Sequence, residues 1–129
     1  MSNTVLYCRT ANSGEDIQEQ QLYFLTRYSQ RMGYAPVVAY CDWNTSGVTL
    51  DRPMMNKLIV EVRTGVVRRI VVKDLSRLAR DFLLTEKLFN LLREYDVEIV
   101  SVNDGGIIDL AEAKKLSDAL WALAKEANV

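Results

Sequence analysis

Four arginines stand in polar stretches where a charged fork could meet an anion. Arg9 lies in "LYCRTANSGED" (6–16), Arg52 in "DWNTSGVTLDRP" (42–53), and Arg77 with Arg80 in "KDLSRLARD" (73–81). Arginine is permanently charged and its planar fork pairs bidentately with phosphate oxygens. Several forks converging on one phosphoryl group would stabilise its developing charge, each donor contributing about 3 kcal/mol by analogy with oxyanion holes. Candidate nucleophiles flank the first arginine: Cys8, Thr10 and Ser13, with Ala11 among them unable to act as one. Histidine is absent, which removes imidazole acid–base schemes and most zinc sites. Catalysis would then rest on arginine, carboxylate, hydroxyl or thiol groups, and neither a metal nor another cofactor is expected.

The chain that must position these groups has 129 residues and a net charge of -1. That length suits one domain with a single core. Near-neutrality argues against coating nucleic acid by bulk attraction, but the charge is uneven. Lys57, Arg63, Arg68, Arg69, Lys73, Arg77 and Arg80 face only Glu61 and Asp74 between residues 57 and 80. A local basic field is therefore available, although a solvated helix face is the simpler account of Arg63, Arg68 and Arg69. No apolar run approaches the roughly 20 residues of a membrane span, and no basic-then-apolar leader opens the chain. A cytoplasmic protein without a membrane partner is expected, with Cys8 and Cys41 reduced.

Apolar patterning predicts alternating elements. Strands are expected at 4–8, 35–41, 69–73 and 97–103. Helices are expected at 15–33, with Ile17, Leu22, Leu25 and Tyr28 on the packed face, at 53–65, at 76–96 and at 109–127. Pro53 and Gly65 would bound the second helix. The alternation predicts an α/β fold of three layers, a mostly parallel four- or five-stranded sheet with helices on both faces. Ligands of such sheets bind beyond the carboxyl ends of the strands. Arg9, Asp42, Lys73 to Arg80, and Asn103 with Asp104 all follow predicted strands and should share that edge. Arg77 and Arg80, placed at a helix start, would face one way beside its positive dipole end.

Each feature has a plainer explanation when taken singly. "DLSRLARD" reads as a cap at Asp74 or Ser76 followed by surface arginines. Cys8 and Cys41 read as small side chains at strand ends, and Gln20 and Gln21 as helix surface. What these explanations leave out is the gathering of the arginines at one edge.

In this order and spacing the residues resemble the catalytic domain of the serine recombinases, the resolvase/invertase and large serine integrase family. Tyr7-Cys8-Arg9 resembles its opening Tyr-x-Arg, and Gln21 with Tyr28 and Gly33 its first helix. "YCDWNTSGVTLDRP" (40–53) is similar to its SG…RP segment, "VVKDLSRLARD" (71–81) to its arginine-bearing turn, and "EIVSVNDG" (98–105) to its fourth strand. The resemblance covers about residues 4–108 and implies site-specific DNA recombination without metal or nucleotide. A serine hydroxyl would attack the scissile phosphodiester, giving a 5′-phosphoserine link and a free 3′-hydroxyl, and religation would reverse the step. By position Arg9, Arg52, Arg77 and Arg80 would hold the phosphate. Gln21 and Asp42 would position the nucleophile loop or the arginines, with Tyr7, Lys73 and Ser76 in support. Ser76 stands where many small resolvases carry aspartate.

Two departures qualify the resemblance. The family's nucleophile is the serine of R-x-S, and that position here is Ala11. Counting back from Gln21 points instead to Asn12, and Ser13 is the nearest serine. Thr10 should point away from the side that Arg9 faces. The second departure is at the far end. Residues 1–108 would form the catalytic domain and 109–129 the start of an oligomerisation helix, with no DNA-binding domain following. Leu116, Leu120, Leu123, Ala119 and Trp121 make that helix apolar around much of its girth, a candidate surface for a homodimer or tetramer. Two functions follow: a strand-exchanging enzyme acting on DNA, or a degenerate recombinase-like module that binds DNA or oligomerises. A thiol phosphatase using Cys8 is disfavoured, because only Arg9 and Thr10 follow it before the loop.

Overall fold

The computed structural model describes residues 3–127. Five strands form one sheet in the order β2-β1-β3-β4-β5. They are β1 (Thr4–Arg9), β2 (Val37–Asp42), β3 (Arg69–Val72), β4 (Glu98–Ser101) and β5 (Gly106–Ile107). The first four run parallel, and the short β5 returns antiparallel along β4. The helices are α1 (Glu15–Met32), α2 (Pro53–Arg63), α3 (Phe82–Glu94) and α4 (Leu110–Ala127). The expected mostly parallel α/β sheet is thus observed, with five strands.

The central position of β1 follows from its sequence: every residue from Thr4 to Arg9 is buried, as a strand covered on both faces requires. Its even residues Leu6 and Cys8 pack with Leu25 of α1, Val71 and Val100. Its odd residues Val5 and Tyr7 join Met55, Leu58 and Val62 of α2 and Leu88, Phe89 and Leu92 of α3 on the opposite face. Side-chain alternation along the strand therefore separates two cores and makes three layers. Full burial of a side chain such as Leu6 or Leu58 stabilises the fold by about 1.5–3 kcal/mol. α4 approaches that second core through Leu110 and Ala113.

The structure revises several expected boundaries. The predicted helix over 76–96 is two elements: a 3-10 turn at Leu75–Arg77 and α3, which begins only at Phe82. Two aspartates explain the division. Asp74 accepts from the Ser76 amide at 3.1 Å, and Asp81 caps α3 by accepting from the Leu84 amide at 2.8 Å. Between them Leu78 and Ala79 are buried, which draws the chain inward and ends the first turn. Arg77 and Arg80 consequently precede the helix rather than sitting on its first face. β2 starts at Val37, two residues later than expected, and β4 ends at Ser101, where a 3-10 turn takes over. Ile17, expected on the packed face of α1, is 51% exposed. Arg69 is no solvated helix residue: it opens β3, pairs with Glu98 at 2.5 Å and stacks on Tyr34. The last two residues of the predicted 109–129 segment lie outside the described residues.

Candidate active site

The order 2-1-3 places a switch point at the carboxyl end of β1, where chain connections leave in opposite directions and open a crevice. Arg9 ends β1 there and Asp42 ends β2 beside it, the two being register partners. A line of hydrogen bonds runs from this edge into α2. Arg52 Nη1 donates to the Tyr7 hydroxyl at 2.8 Å, and Tyr7 donates to Asp42 Oδ2 at 2.7 Å. Asp42 also accepts from the Met54 and Met55 amides at 2.9 and 3.0 Å. The Asp42 carboxylate thus caps α2 from a distance, at the helix end that favours negative charge. Burial, reinforced by the bond to Asp42, pushes the Tyr7 phenol above its ordinary value, with Arg52 pulling the other way.

The guanidinium groups are organised chiefly by backbone carbonyls. Arg9 donates through Nε to Arg77 O at 2.9 Å, through Nη1 to Thr45 O at 3.0 Å and through Nη2 to Ser76 O at 2.6 Å. Arg52, 1% exposed, donates to Thr49 O at 2.9 Å, to Arg77 O at 3.3 Å and to Leu78 O. Arg77 Nη1 returns to Arg9 O at 3.0 Å. Its Nε is buried without a hydrogen bond, 3.5 Å from Asp74 Oδ2. Burial lowers the pKa of Arg9 most, and the charges of Arg52, Arg77 and Arg80 lower it further, only partly offset by Tyr7. That cross-talk marks a cluster of like charges.

Arg80 is exposed and its amide donates to Gly47 O at 3.1 Å. Gly47 itself is buried between the arginines. A Cβ there would lie 2.5 Å from Arg80 Cγ and 2.9 Å from Arg9 Cζ. Only glycine lets the 43–50 loop approach so closely.

Gln21 does not lie on the helix surface. It is buried and brackets the backbone of Arg9, accepting from its amide at 3.1 Å and donating to its carbonyl at 3.3 Å. Ser76 is exposed, its hydroxyl bonded to Asp74 within the same turn, while its carbonyl serves Arg9. Lys73 is half-buried at the exit of β3. Ala11 and Asn12 are exposed in the loop after β1. Ser13 is held by three contacts: its amide donates to Asn44 Oδ1 at 2.7 Å, its hydroxyl to Thr10 Oγ1 at 2.8 Å, and its carbonyl accepts from Gln18 Nε2 at 3.4 Å. Thr10 Oγ1 also accepts from the Asn44 amide at 3.3 Å.

The cysteines pack on the opposite, α1 side of the sheet. Cys8 and Cys41 are register neighbours, and the Cys8 thiol, bonded to Cys41 and buried, is pushed up well above its ordinary value. Such a thiol is a poor nucleophile. Among the described residues no group of three or more Cys, Asp or Glu side chains is placed to hold a metal ion. No helix among them is long and apolar enough to cross a membrane.

Sequence reasoning placed Gly47 only within the SG…RP segment, without a role for it, and missed Thr45 and the Thr10–Asn44 clamp. Close packing of two arginines against a glycine leaves no periodic signal, and a carbonyl acceptor has no residue type. Asn44 gives one hint, since it adopts φ 53, a region that asparagine tolerates better than most residues.

The family profile described as "Resolvase, N terminal domain" matches residues 4–127. The N-terminal catalytic domain of TP901-1 integrase superposes with a TM-score of 0.78 at 25% identity, covering 97% of this chain and 95% of that one. The C-terminal catalytic domain of ISC1926 TnpA, an IS607-like serine recombinase, gives 0.68 at 30% identity over 77% and 69%. A resolvase family site-specific recombinase from Streptococcus pneumoniae, 20% identical over 97% and 93%, has the same fold at a TM-score of 0.68. A protein of Bacillus subtilis (strain 168) named "Putative DNA recombinase" is 27% identical over 74 residues, 57% of this chain and 15% of that protein. This chain therefore spans only a small part of that relative's length. With the profile running through all five strands and into α4, the chain belongs to the resolvase N-terminal domain family of serine recombinases.

Proposed function

We propose that this domain binds a DNA phosphodiester at the β1/β3 edge and serves as the catalytic domain of a site-specific recombinase. The observation that carries the reading is the clustering of the arginines: Arg9 and Arg52 share Arg77 O, Arg77 donates back to Arg9 O, and Arg80 is pressed beside them against Gly47. A cluster of fixed like charges at a strand edge suits a dianionic transition state better than a neutral ligand. In the proposed step the Ser13 hydroxyl attacks phosphorus, loses its proton, and the 3′-oxygen leaves and takes up a proton. The 5′-phosphate is then joined to serine, and rejoining reverses the same exchange. Arg77 and Arg80, with Arg9 behind them, hold the equatorial oxygens. Arg52, expected as a direct phosphate ligand, is buried and adds its charge from beneath, while Gln21, Asp42 and Tyr7 fix the arginine-bearing strand ends. Lys73 and Ser76 take supporting places. No cofactor enters the step.

A second reading has its own observation. Ala11 stands at the family's serine position, and the Ser13 hydroxyl is bonded to Thr10. Under that reading the domain binds DNA and partners without cutting. A half-site suicide DNA substrate, offered to the chain alone and fused to a DNA-binding domain, separates the two. A covalent adduct lost in Ser13→Ala and kept in Thr10→Ala supports cleavage. Phosphate-dependent DNA binding with no adduct in either form supports the second reading. No binding at all removes both. In either reading α4 (within the proposed 109–129 oligomerisation segment, with 1–108 as the catalytic unit) carries the contact to a second copy of the chain, as a dimer or tetramer. The proposed compartment is the cytoplasm, where DNA is the partner.

A further inference from the structure

Beside the arginine cluster, on the α1 side of Arg77, lies a second cleft of about 310 Å³. Lys73 and Arg77 line it from the exit of β3, Asn103 from the exit of β4, and Ile17, Gln20 and Phe24 from α1. Its charged lining is cationic, an ammonium and a guanidinium, and the side-chain amides of Gln20, Gln21 and Asn103 offer both donors and acceptors. No carboxylate lines it among the described residues. Among the described residues the Lys73 ammonium and the side-chain amides of Gln20 and Asn103 make no hydrogen bond or ion pair. Arg77, in the same wall, is paired with Asp74 at 3.5 Å and bonded to Arg9 O through Nη1. An anion is the ligand that such a lining selects.

The other wall is apolar. Ile17 breaks the amphipathic pattern of α1 by being 51% exposed, and half-buried Phe24 lies beyond it on the same side. A phosphate alone has no use for that surface. The volume lies near the lower bound of small-ligand clefts, which run from about 300 to 1,000 Å³, and so accommodates one compact group rather than a helix or strand. We infer that this cleft is a nucleotide subsite. Lys73 and Arg77 take the phosphate of a deoxynucleotide neighbouring the one held by the arginine cluster, Asn103 and Gln20 donate to its polar edge, and Ile17 with Phe24 receive its sugar or base face. Aromatic rings accept any base by stacking, so the subsite grips DNA without reading sequence. The assignment rests on the phosphate-binding reading of Arg9 and Arg80, with which the cleft shares Arg77.

Amide chemical shifts of the full chain, titrated with thymidine 5′-monophosphate and separately with inorganic phosphate, test it. The nucleotide is expected to shift Ile17, Phe24, Lys73 and Asn103 as well as Gly47 and Arg80, and to bind about fivefold tighter than phosphate. Ile17→Glu, which puts a carboxylate at an exposed position of the cleft, and Lys73→Gln are each expected to weaken nucleotide binding about tenfold. Dispersed spectra of both variants confirm that the fold is kept. Shifts confined to Gly47 and Arg80, or full affinity in Ile17→Glu, overturn the subsite and leave the arginine cluster standing. Shifts at Ile17, Phe24 and Asn103 without any at Gly47 and Arg80 remove the cluster and, with it, the assignment of the cleft as the neighbouring subsite. No shift at either place overturns both.

Discussion

At the scale of single residues, Gly47 bears directly on the arrangement of the arginines. Arg80 is exposed and can swing aside, but Arg9 is tied to three carbonyls and cannot. Gly47→Ala is therefore expected to push the 43–50 loop away from Arg9 and destabilise the fold by about 1–3 kcal/mol. Urea denaturation measures the loss, and sulfate or phosphate binding should weaken with it. Arg52→Lys tests the fork itself. An ammonium cannot reach Thr49 O, Leu78 O, Arg77 O and the Tyr7 hydroxyl from one plane, so unpaired buried carbonyls remain, and about 2–4 kcal/mol of stability should go. The sequence made the gathering of these arginines legible, because strand-end positions in a parallel sheet share an edge. It did not disclose that their donors turn to the backbone. Gln21 was legible only through the family resemblance: its polarity alone suggests surface, whereas its amide matches both backbone groups of Arg9.

At the scale of elements, the β1–β2–α2 unit holds protons that an unfolded chain would release. Burial with the Asp42 bond raises Tyr7, and the Glu61 hydrogen bond, with burial, raises Tyr40 to about 12. Unfolded tyrosine titrates near 10.0. Above that pH the unfolded state binds fewer protons than the folded state, so stability falls as pH rises from 10 towards 12. Urea midpoints at pH 9 and pH 11 should differ in the parent chain, and the difference should shrink in Tyr40→Phe. The order of strands and helices was readable from alternation and caps. The segment 74–81 was not, since Asp74, Ser76 and Asp81 are all competent caps, and the burial of Leu78 and Ala79, which decides between them, is a tertiary fact.

At the scale of the whole molecule, α4 lies against α3 through few buried side chains. Ser117 is buried and bonded to Glu86, which also accepts from the Trp121 indole at 2.9 Å. Leu116 and Leu123 remain 63% and 61% exposed, and Phe82 and Leu83 of α3 add to the apolar surface. An uncovered face of this kind is what the proposed contact with a second copy of the chain would cover. If the second copy sits there, Leu116→Glu with Leu123→Glu should leave the circular dichroism of the fold intact and shift sedimentation from dimer to monomer. An unchanged sedimentation coefficient would place the contact elsewhere.

The carbonyl ring around Arg9 and Arg52 has one more consequence. Among the described residues no carboxylate bonds either guanidinium directly; their partners are peptide dipoles and a phenol. Dipoles carry no net charge, do not titrate, and are little affected by the ionic atmosphere. Guanidinium groups in proteins do not deprotonate either. The edge of this sheet therefore works as a fixed electrode. Its positive potential is set by the backbone geometry around the guanidinium groups and lasts as long as the fold does.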